Sequence, residues 1–432
     1  MERINNLNSK IFLNSADLEG IFNPYETSWG KEIIFPSTRK LCLYGNRIYN
    51  RYPARSIFLV PRSTLHFLKN SKKLNVLDPF MGAGTTAVET KLSNNIPFGV
   101  EMNPFARIIS DVSSTVYTKN DFAELDKIYE NIISNFKIFS KDEVPHLRGI
   151  ERWFKTKDFE ELLKLKKTIS EIVPQKFYNF FIITFADCIK PVSLMERQST
   201  KPYISSKYVK TTKSVIESFE YSFKAHRVAL FEMSKKCNFI TNNNNIKWIG
   251  NDATNFSNKE SEIDIAITSP PYINAFDYTQ CTKVEAAMCG FIDDDSAAIL
   301  RKQQVGHDNR RKQDIAPEII DCFKEQYCKI YEKDKIKADT CQAYFNDIYK
   351  NLNCVFNILK EGGEYHIIVG NNTIKDIYIP CHEIIANIAE EIGFKWFGYY
   401  KYQIKDHRTS IPRANAKEKI KVEHVIMLKK LS

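Results

Sequence analysis

The chain has 432 residues, 43% of them hydrophobic, and a formal net charge of +10. That length allows one large domain or two ordinary ones with a sizeable core, and the basic balance favours a polyanionic partner. Ten cysteines with no Cys-x-x-Cys pair argue against a zinc site and suit a reducing cytoplasm; no apolar signal core opens the chain, and no run of about 18 apolar residues is present to span a membrane.

Residues 1–40 are rich in Asn and Ser and read as an N-terminal arm without evident chemistry. Residues 41–110 read as the first part of a catalytic domain. Tyr52-Pro53-Ala54-Arg55 precedes a helical run to Leu68, where a proline is common at the start of a helix. A strand from Leu74 to Asp78 then ends in an acid, followed by Pro79-Phe80-Met81-Gly82-Ala83-Gly84-Thr85 and a helix to Leu92. Glycines let backbone approach a ligand closely, and a helix start presents unpaired N–H groups. The second strand ends at Glu101, with Met102 and an Asn103-Pro104 turn behind it. Taken alone, Gly-x-Gly-x-x-Ala with an acid after the next strand also fits a nicotinamide-dinucleotide site.

Residues 111–240 interrupt the alternating pattern and read as a largely helical insert, with apolar repeats at Phe122-Leu125-Ile128-Ile132 and Phe177-Phe180-Phe181-Ile183. Within it, 190–213 is rich in Lys, Ser, Thr and Tyr. Such a loop can follow phosphates through Lys201 and Lys207, and it is the first candidate for target recognition. A solvated connection between helices is the plainer reading.

Residues 241–432 return to the α/β pattern. A third strand, Ile246–Ile249, leads to Asp252-Ala253, and a fourth, Ile263–Ile267, runs into Thr268-Ser269-Pro270-Pro271-Tyr272. A strand cannot continue through two prolines, so the chain leaves the sheet stiffly there. Residues 273–340 form a second, basic insert, with a helix near Lys283–Met288, an acidic turn at Asp293–Asp295 and a polar basic loop carrying Arg301, Lys302, Arg310 and Arg311. A helix from Tyr344 to Leu359 is expected to stop at Glu361-Gly362-Gly363. A strand at Tyr365–Val369, a helix at Cys381–Ile392 and strands at Phe394–Tyr402 and Val422–Leu428 follow. The last two lack a helix between them, which predicts an antiparallel hairpin whose basic connection holds Arg408 and Arg413.

Together, Asp78-Pro79-Phe80-x-Gly82-x-Gly84-Thr85 and Ser269-Pro270-Pro271-Tyr272 resemble the motifs of S-adenosylmethionine-dependent DNA methyltransferases that modify exocyclic amino groups. The Ser form is most similar to the cytosine-N4 enzymes; adenine-N6 enzymes more often carry Asp or Asn in place of Ser269. The resemblance covers roughly 48–110 and 245–430. It implies a Rossmann-like seven-stranded methyltransferase sheet, mostly parallel with an antiparallel last strand. S-adenosyl-L-methionine would lie against the glycine turn, with Tyr52, Pro53 and Arg55 at its methionine end, Glu101 at the ribose, and Met102 with Asp252-Ala253 at the adenine. Ser269 and the Pro270 carbonyl would accept the hydrogens of the target amine, Pro271 would stiffen the turn, and Tyr272 would stack on the base. Duplex DNA is the implied partner, expected at Lys201, Lys207, Arg301, Lys302, Arg310, Arg311, Arg408 and Arg413, with a cognate restriction endonuclease as a second, and with no metal and no membrane. Other readings stay open on the sequence: adenine-N6 methylation, an RNA or tRNA base methyltransferase, a dinucleotide oxidoreductase, and a non-catalytic DNA-binding scaffold.

Overall fold

The computed structural model describes residues 10–12, 21–26, 29–35, 48–49, 51–53, 55–68, 72–197, 199–207, 210–240, 245–257, 262–273, 277–307, 321–404 and 420–431. Its strands are β1 (Lys10–Phe12), β2 (Lys31–Ile34), β3 (Asn75–Asp78), β4 (Ile96–Val100), β5 (Lys247–Gly250), β6 (Ile263–Thr268), β7 (Leu359–Gly370), β8 (Asn372–Ile374), β9 (Ile377–Ile379), β10 (Phe394–Gln403) and β11 (Val422–Lys430). Nine of them form one sheet in the order β1-β2-β10-β11-β7-β6-β3-β4-β5, and β8 and β9 make a separate ribbon.

All strands predicted from 74 onward are present. β4 lies between β3 and β5, β6 pairs with β3 and with β7, and these pairings are parallel. β11 runs antiparallel to both β7 and β10. The sheet is two strands wider than expected, because β2 adds in parallel to β10 and β1 to β2. The arm that showed no chemistry thus extends the sheet: Phe22 and Ile33 pack with Tyr400, Tyr402 and Val425 in one buried cluster.

Two further expectations are corrected. The helix before β7 spans Lys335–Ile358, and the strand begins at Leu359, so Glu361-Gly362-Gly363 lies within β7. The glycines are absorbed by an irregularity, since Ile263 faces Leu359 while Ile265 already faces Glu364. The stretch read as a basic loop from Arg301 is at first helical: Asp294–Gln303 forms a helix that Asp293 caps, with Arg301 and Lys302 in its last turn.

The helical insert comprises Lys119–Asn135, Thr156–Ile172, Gln175–Val192 and Val215–Lys236, preceded by the helix Pro104–Ser114. In the helix Gln175–Val192, Phe177, Phe180, Phe181, Thr184, Phe185 and Cys188 are all buried, because its apolar positions extend round most of the cylinder. Each such aromatic contributes on the order of 1.5–3 kcal/mol by burial. This core is continuous with Ile48, Tyr49 and Tyr52 on one side and with Val284 and Met288 on the other. Among the described residues, no helix is long and apolar enough to cross a membrane.

The candidate cofactor and active-site cleft

Since β3 to β7 are parallel, their carboxyl ends share one edge of the sheet, where ligands of doubly wound folds bind. β3 and β6 are neighbours, so the glycine turn and Ser269-Pro270-Pro271-Tyr272 emerge side by side. Asp78, almost wholly buried, holds this corner: its Oδ1 accepts the Phe80 N–H at 3.0 Å and the Thr268 hydroxyl at 2.5 Å. Burial pushes the Asp78 carboxyl up to about 6, against the pull of those hydrogen bonds.

The turn itself needs left-handed backbone, with φ of +53° at Gly82 and +81° at Gly84. A Cβ on Gly84 would stand 2.8 Å from the Ser110 Cα, so the helix Pro104–Ser114 packs directly on the turn. Ser110 adds a hydrogen bond from its hydroxyl to the Gly82 carbonyl at 2.7 Å. Gly84 caps the helix Thr85–Leu92 without a side chain, which leaves the first N–H groups at its start without a side-chain acceptor. Glu101 closes the opposite side. One oxygen accepts the Gly82 N–H and the other the Asn103 N–H, both at 2.8 Å. Burial raises its pKa. Asn103 in turn accepts the Phe105 N–H and caps the helix that carries Ser110.

Between these elements lies a cleft of about 760 Å³, its open mouth included. From the residues expected at the cofactor, Tyr52, Pro79, Phe80, Gly82, Glu101, Met102, Asp252 and Ala253 line it; from the second motif, Ser269 and Pro271 do. Asp252 forms a tight turn, its Oδ1 accepting both the N–H and the hydroxyl of Thr254 at 2.8 Å. The Ala253 carbonyl is fixed by Asn351 Nδ2 at 2.7 Å.

Other expected residues stand apart from the lining. Asp78, Gly84 and Thr85 shape the turn from behind. Pro53 and Pro270 are buried outside the cleft wall. Arg55 is turned inward, its Nη2 donating to the carbonyls of Ile48 at 2.5 Å and Tyr49 at 2.7 Å, so it shapes the segment that presents Tyr52. The Tyr272 hydroxyl donates to the Glu423 carboxylate of β11.

The opposite wall was not anticipated. Tyr278, Thr279, Gln303, Gln304 and Val305 come from the second insert. Asp277 starts the short helix Tyr278–Cys281 by accepting the Gln280 N–H at 2.9 Å, and the Tyr278 N–H donates to Gln304 Oε1 at 3.1 Å. An Asp followed three residues later by Gln is a helix-start signature, and it was the available signal.

Of the residues expected at DNA, Lys201, Lys207 and Lys302 are exposed. Lys201 lies within electrostatic reach of Cys281, beside the wall formed by Tyr278 and Thr279. Arg301 is already engaged within the chain: its Nε pairs at 2.5 Å with Asp277, a carboxylate only 3% exposed, while its own side chain is 36% exposed. Arg310, Arg311, Arg408 and Arg413 lie outside the described residues. Among the described residues no cluster of His, Cys, Asp and Glu is suited to a metal ion.

The fold and cleft define a Rossmann-like α/β protein of methyltransferase architecture. No protein-family model matches the chain. It is similar to the type II methyltransferase M.MvaI of Kocuria varians, 22% identical over 369 residues that cover 79% of this chain and 80% of that protein. It is also similar to the type II methyltransferase M.BsoBI of Geobacillus stearothermophilus, 24% identical over 75% of this chain and 74% of that protein. Among solved structures, TTHA0409 of Thermus thermophilus in complex with S-adenosyl-L-methionine is 21% identical, over 22% of this chain and 40% of that one, with a TM-score of 0.18.

Proposed function

We propose that the chain is a type II DNA methyltransferase of a restriction–modification system, which methylates the exocyclic N4 amine of cytosine in duplex DNA with S-adenosyl-L-methionine as donor. The observation that carries this reading is the convergence of Phe80, Gly82 and Glu101 with Ser269 and Pro271 on one cleft. The residues present fit the donor. Glu101 and Asp252 offer carboxylates to hydroxyl and amino groups, Phe80, Met102 and Val305 offer apolar faces to a purine, and Tyr52 and Tyr278 offer aromatic rings near a sulfonium cation.

Bound there, the donor supplies an electrophilic methyl group. The remaining work falls to the chain. An exocyclic amine is a weak nucleophile, because its lone pair is delocalised into the ring. Ser269 and the Pro270 carbonyl accept its hydrogens and turn the lone pair toward the cleft, and the two prolines hold these acceptors with little reorganisation. The base must leave the duplex to reach them, at a cost of a few kcal/mol that stacking partly offsets. Lys201, Lys207 and Lys302 contact phosphates and set the protein on the duplex. Pairing with a cognate endonuclease belongs to the same reading.

The test is transfer of labelled methyl groups from S-adenosylmethionine to unmethylated duplex DNA and, in parallel, to transfer RNA. Label in DNA that Ser269→Ala abolishes, with donor binding kept, supports the reading. Label confined to RNA overturns it.

A further inference from the structure

Methylation of an amine leaves a proton that must go somewhere, and a chain of hydroxyls leads away from Ser269. The Ser269 side chain lies beside the Tyr272 hydroxyl, which itself donates to Glu423 Oε1. The Tyr272 hydroxyl directs its proton at Glu423, which leaves its oxygen able to accept a proton from the Ser269 side. Glu423 stands opposite Gly370, the last residue of β7, and opposite Tyr402 of β10. It therefore sits at the carboxyl edge of the sheet, behind the motif. Gly370 makes room for the arrangement, since a Cβ there would press to 3.3 Å of Tyr272 Cε2. Ile420 closes the same spot. The tyrosine ring is thus packed against the end of β7, with its hydroxyl held by β11.

We propose that Ser269, Tyr272 and Glu423 form the proton exit of the methyl-transfer reaction, with Glu423 as the terminal acceptor. This rests on the function proposed above. In the step, the amine nitrogen forms its bond to the methyl carbon with its own lone pair, and the electron pair of the broken carbon–sulfur bond stays on sulfur. The nitrogen, now cationic, gives one proton to Ser269 Oγ; the Ser269 proton passes to Tyr272 Oη, and the Tyr272 proton to the Glu423 carboxylate. All three groups end neutral, and the proton leaves from Glu423 once product departs. Burial raises the Glu423 pKa, which makes it a stronger base than an exposed carboxylate. The titratable groups facing this relay are Tyr402 beside Glu423, Tyr400 behind Tyr402, and Tyr278 across from Tyr272.

Glu423→Gln keeps the shape but removes the base, and Tyr272→Phe keeps the ring but breaks the relay. Each is expected to slow single-turnover transfer by about 10²-fold while donor affinity and the KM for DNA stay unchanged. The double variant falls no further than the slower single one, because the groups act as one unit. A second readout needs no turnover. The infrared carbonyl band of protonated Glu423, assigned by its loss in Glu423→Gln, titrates at higher pH in Tyr272→Phe, since the lost donor had favoured the carboxylate. Where Glu423→Gln fails to fold, Tyr272→Phe carries the kinetic test alone. Wild-type rates in the single variants, independent multiplying losses, or a loss seen only in KM overturn the relay. A wild-type protein that methylates no DNA overturns the function instead, and the infrared titration then still decides whether Tyr272 and Glu423 are coupled.

Discussion

The Thr268 hydroxyl donates to Asp78 Oδ1 at 2.5 Å, joining the end of β6 to the end of β3 across 190 residues of sequence. Parallel pairing makes these strands neighbours, and this bond closes the corner from which both motifs emerge. Thr268→Val leaves the shape but removes the donor to a buried carboxyl. The expected loss is about 1–3 kcal/mol, with weaker donor binding, measured by denaturant unfolding and calorimetry. Unchanged stability would show that the corner stands without it.

Asp78 also predicts a pH dependence. Its folded pKa, about 6, lies above the ordinary carboxyl value of 3.8. The folded state therefore holds the proton more tightly than the unfolded one. The stability this gives is complete below the unfolded pKa and is lost as pH rises through about 6. Asp78→Asn does not titrate, so wild type should lose on the order of 2–3 kcal/mol relative to it between about pH 4 and pH 7. Parallel stability curves over that range would contradict the assignment.

The two glycines of the turn should differ in their tolerance. Both have positive φ, so Ala is strained at either place. At Gly82 the nearest atom to an added Cβ is 3.6 Å away, whereas at Gly84 the Ser110 Cα is at 2.8 Å. Gly82→Ala is expected to cost about 1 kcal/mol, and Gly84→Ala more, roughly 2–4 kcal/mol, because backbone must move as well. Thermal melts of the two variants check the order; a larger drop for Gly82→Ala would contradict it.

The basic residues should divide by environment. Arg301→Ala strands the buried Asp277 carboxylate, leaving His307 at 3.7 Å as a weaker partner. It is expected to lower the melting temperature and to leave the salt dependence of DNA binding unchanged. Lys201→Ala with Lys207→Ala should do the reverse, with the slope of log affinity against log salt falling by about 1–2. An Arg301 variant that melts like wild type but has a shallower salt slope would contradict this division and favour Arg301 as a DNA contact.

What was legible in the sequence was local. Asp78 to Thr85 and Thr268 to Tyr272 declare themselves because an acid at a strand end, a glycine turn and a pair of prolines each have one short-range consequence. The succession of β3 to β7, then β10 and β11, followed from the alternation of apolar runs with helices, whereas the short ribbon of β8 and β9 was not expected. The far wall did not, because Tyr278, Gln303 and Gln304 reach the cleft through the packing of the second insert, which no periodicity announces. β1 and β2 were missed because strands of three and four residues carry little pattern. The glycines in β7 looked like a stop because a bulge and a turn use the same residues. Glu423 lies in an ordinary strand sequence, and only the sheet register brings it to Tyr272.

The most direct measurement is the identity of the methylated nucleoside. Purified protein is incubated with S-adenosylmethionine and unmethylated DNA, the DNA is digested to nucleosides, and the products are identified by mass spectrometry. N4-methylcytosine, absent with Ser269→Ala, is the predicted result. N6-methyladenine would contradict the base assigned from Ser269, and DNA without any methylated base would contradict the account as a whole.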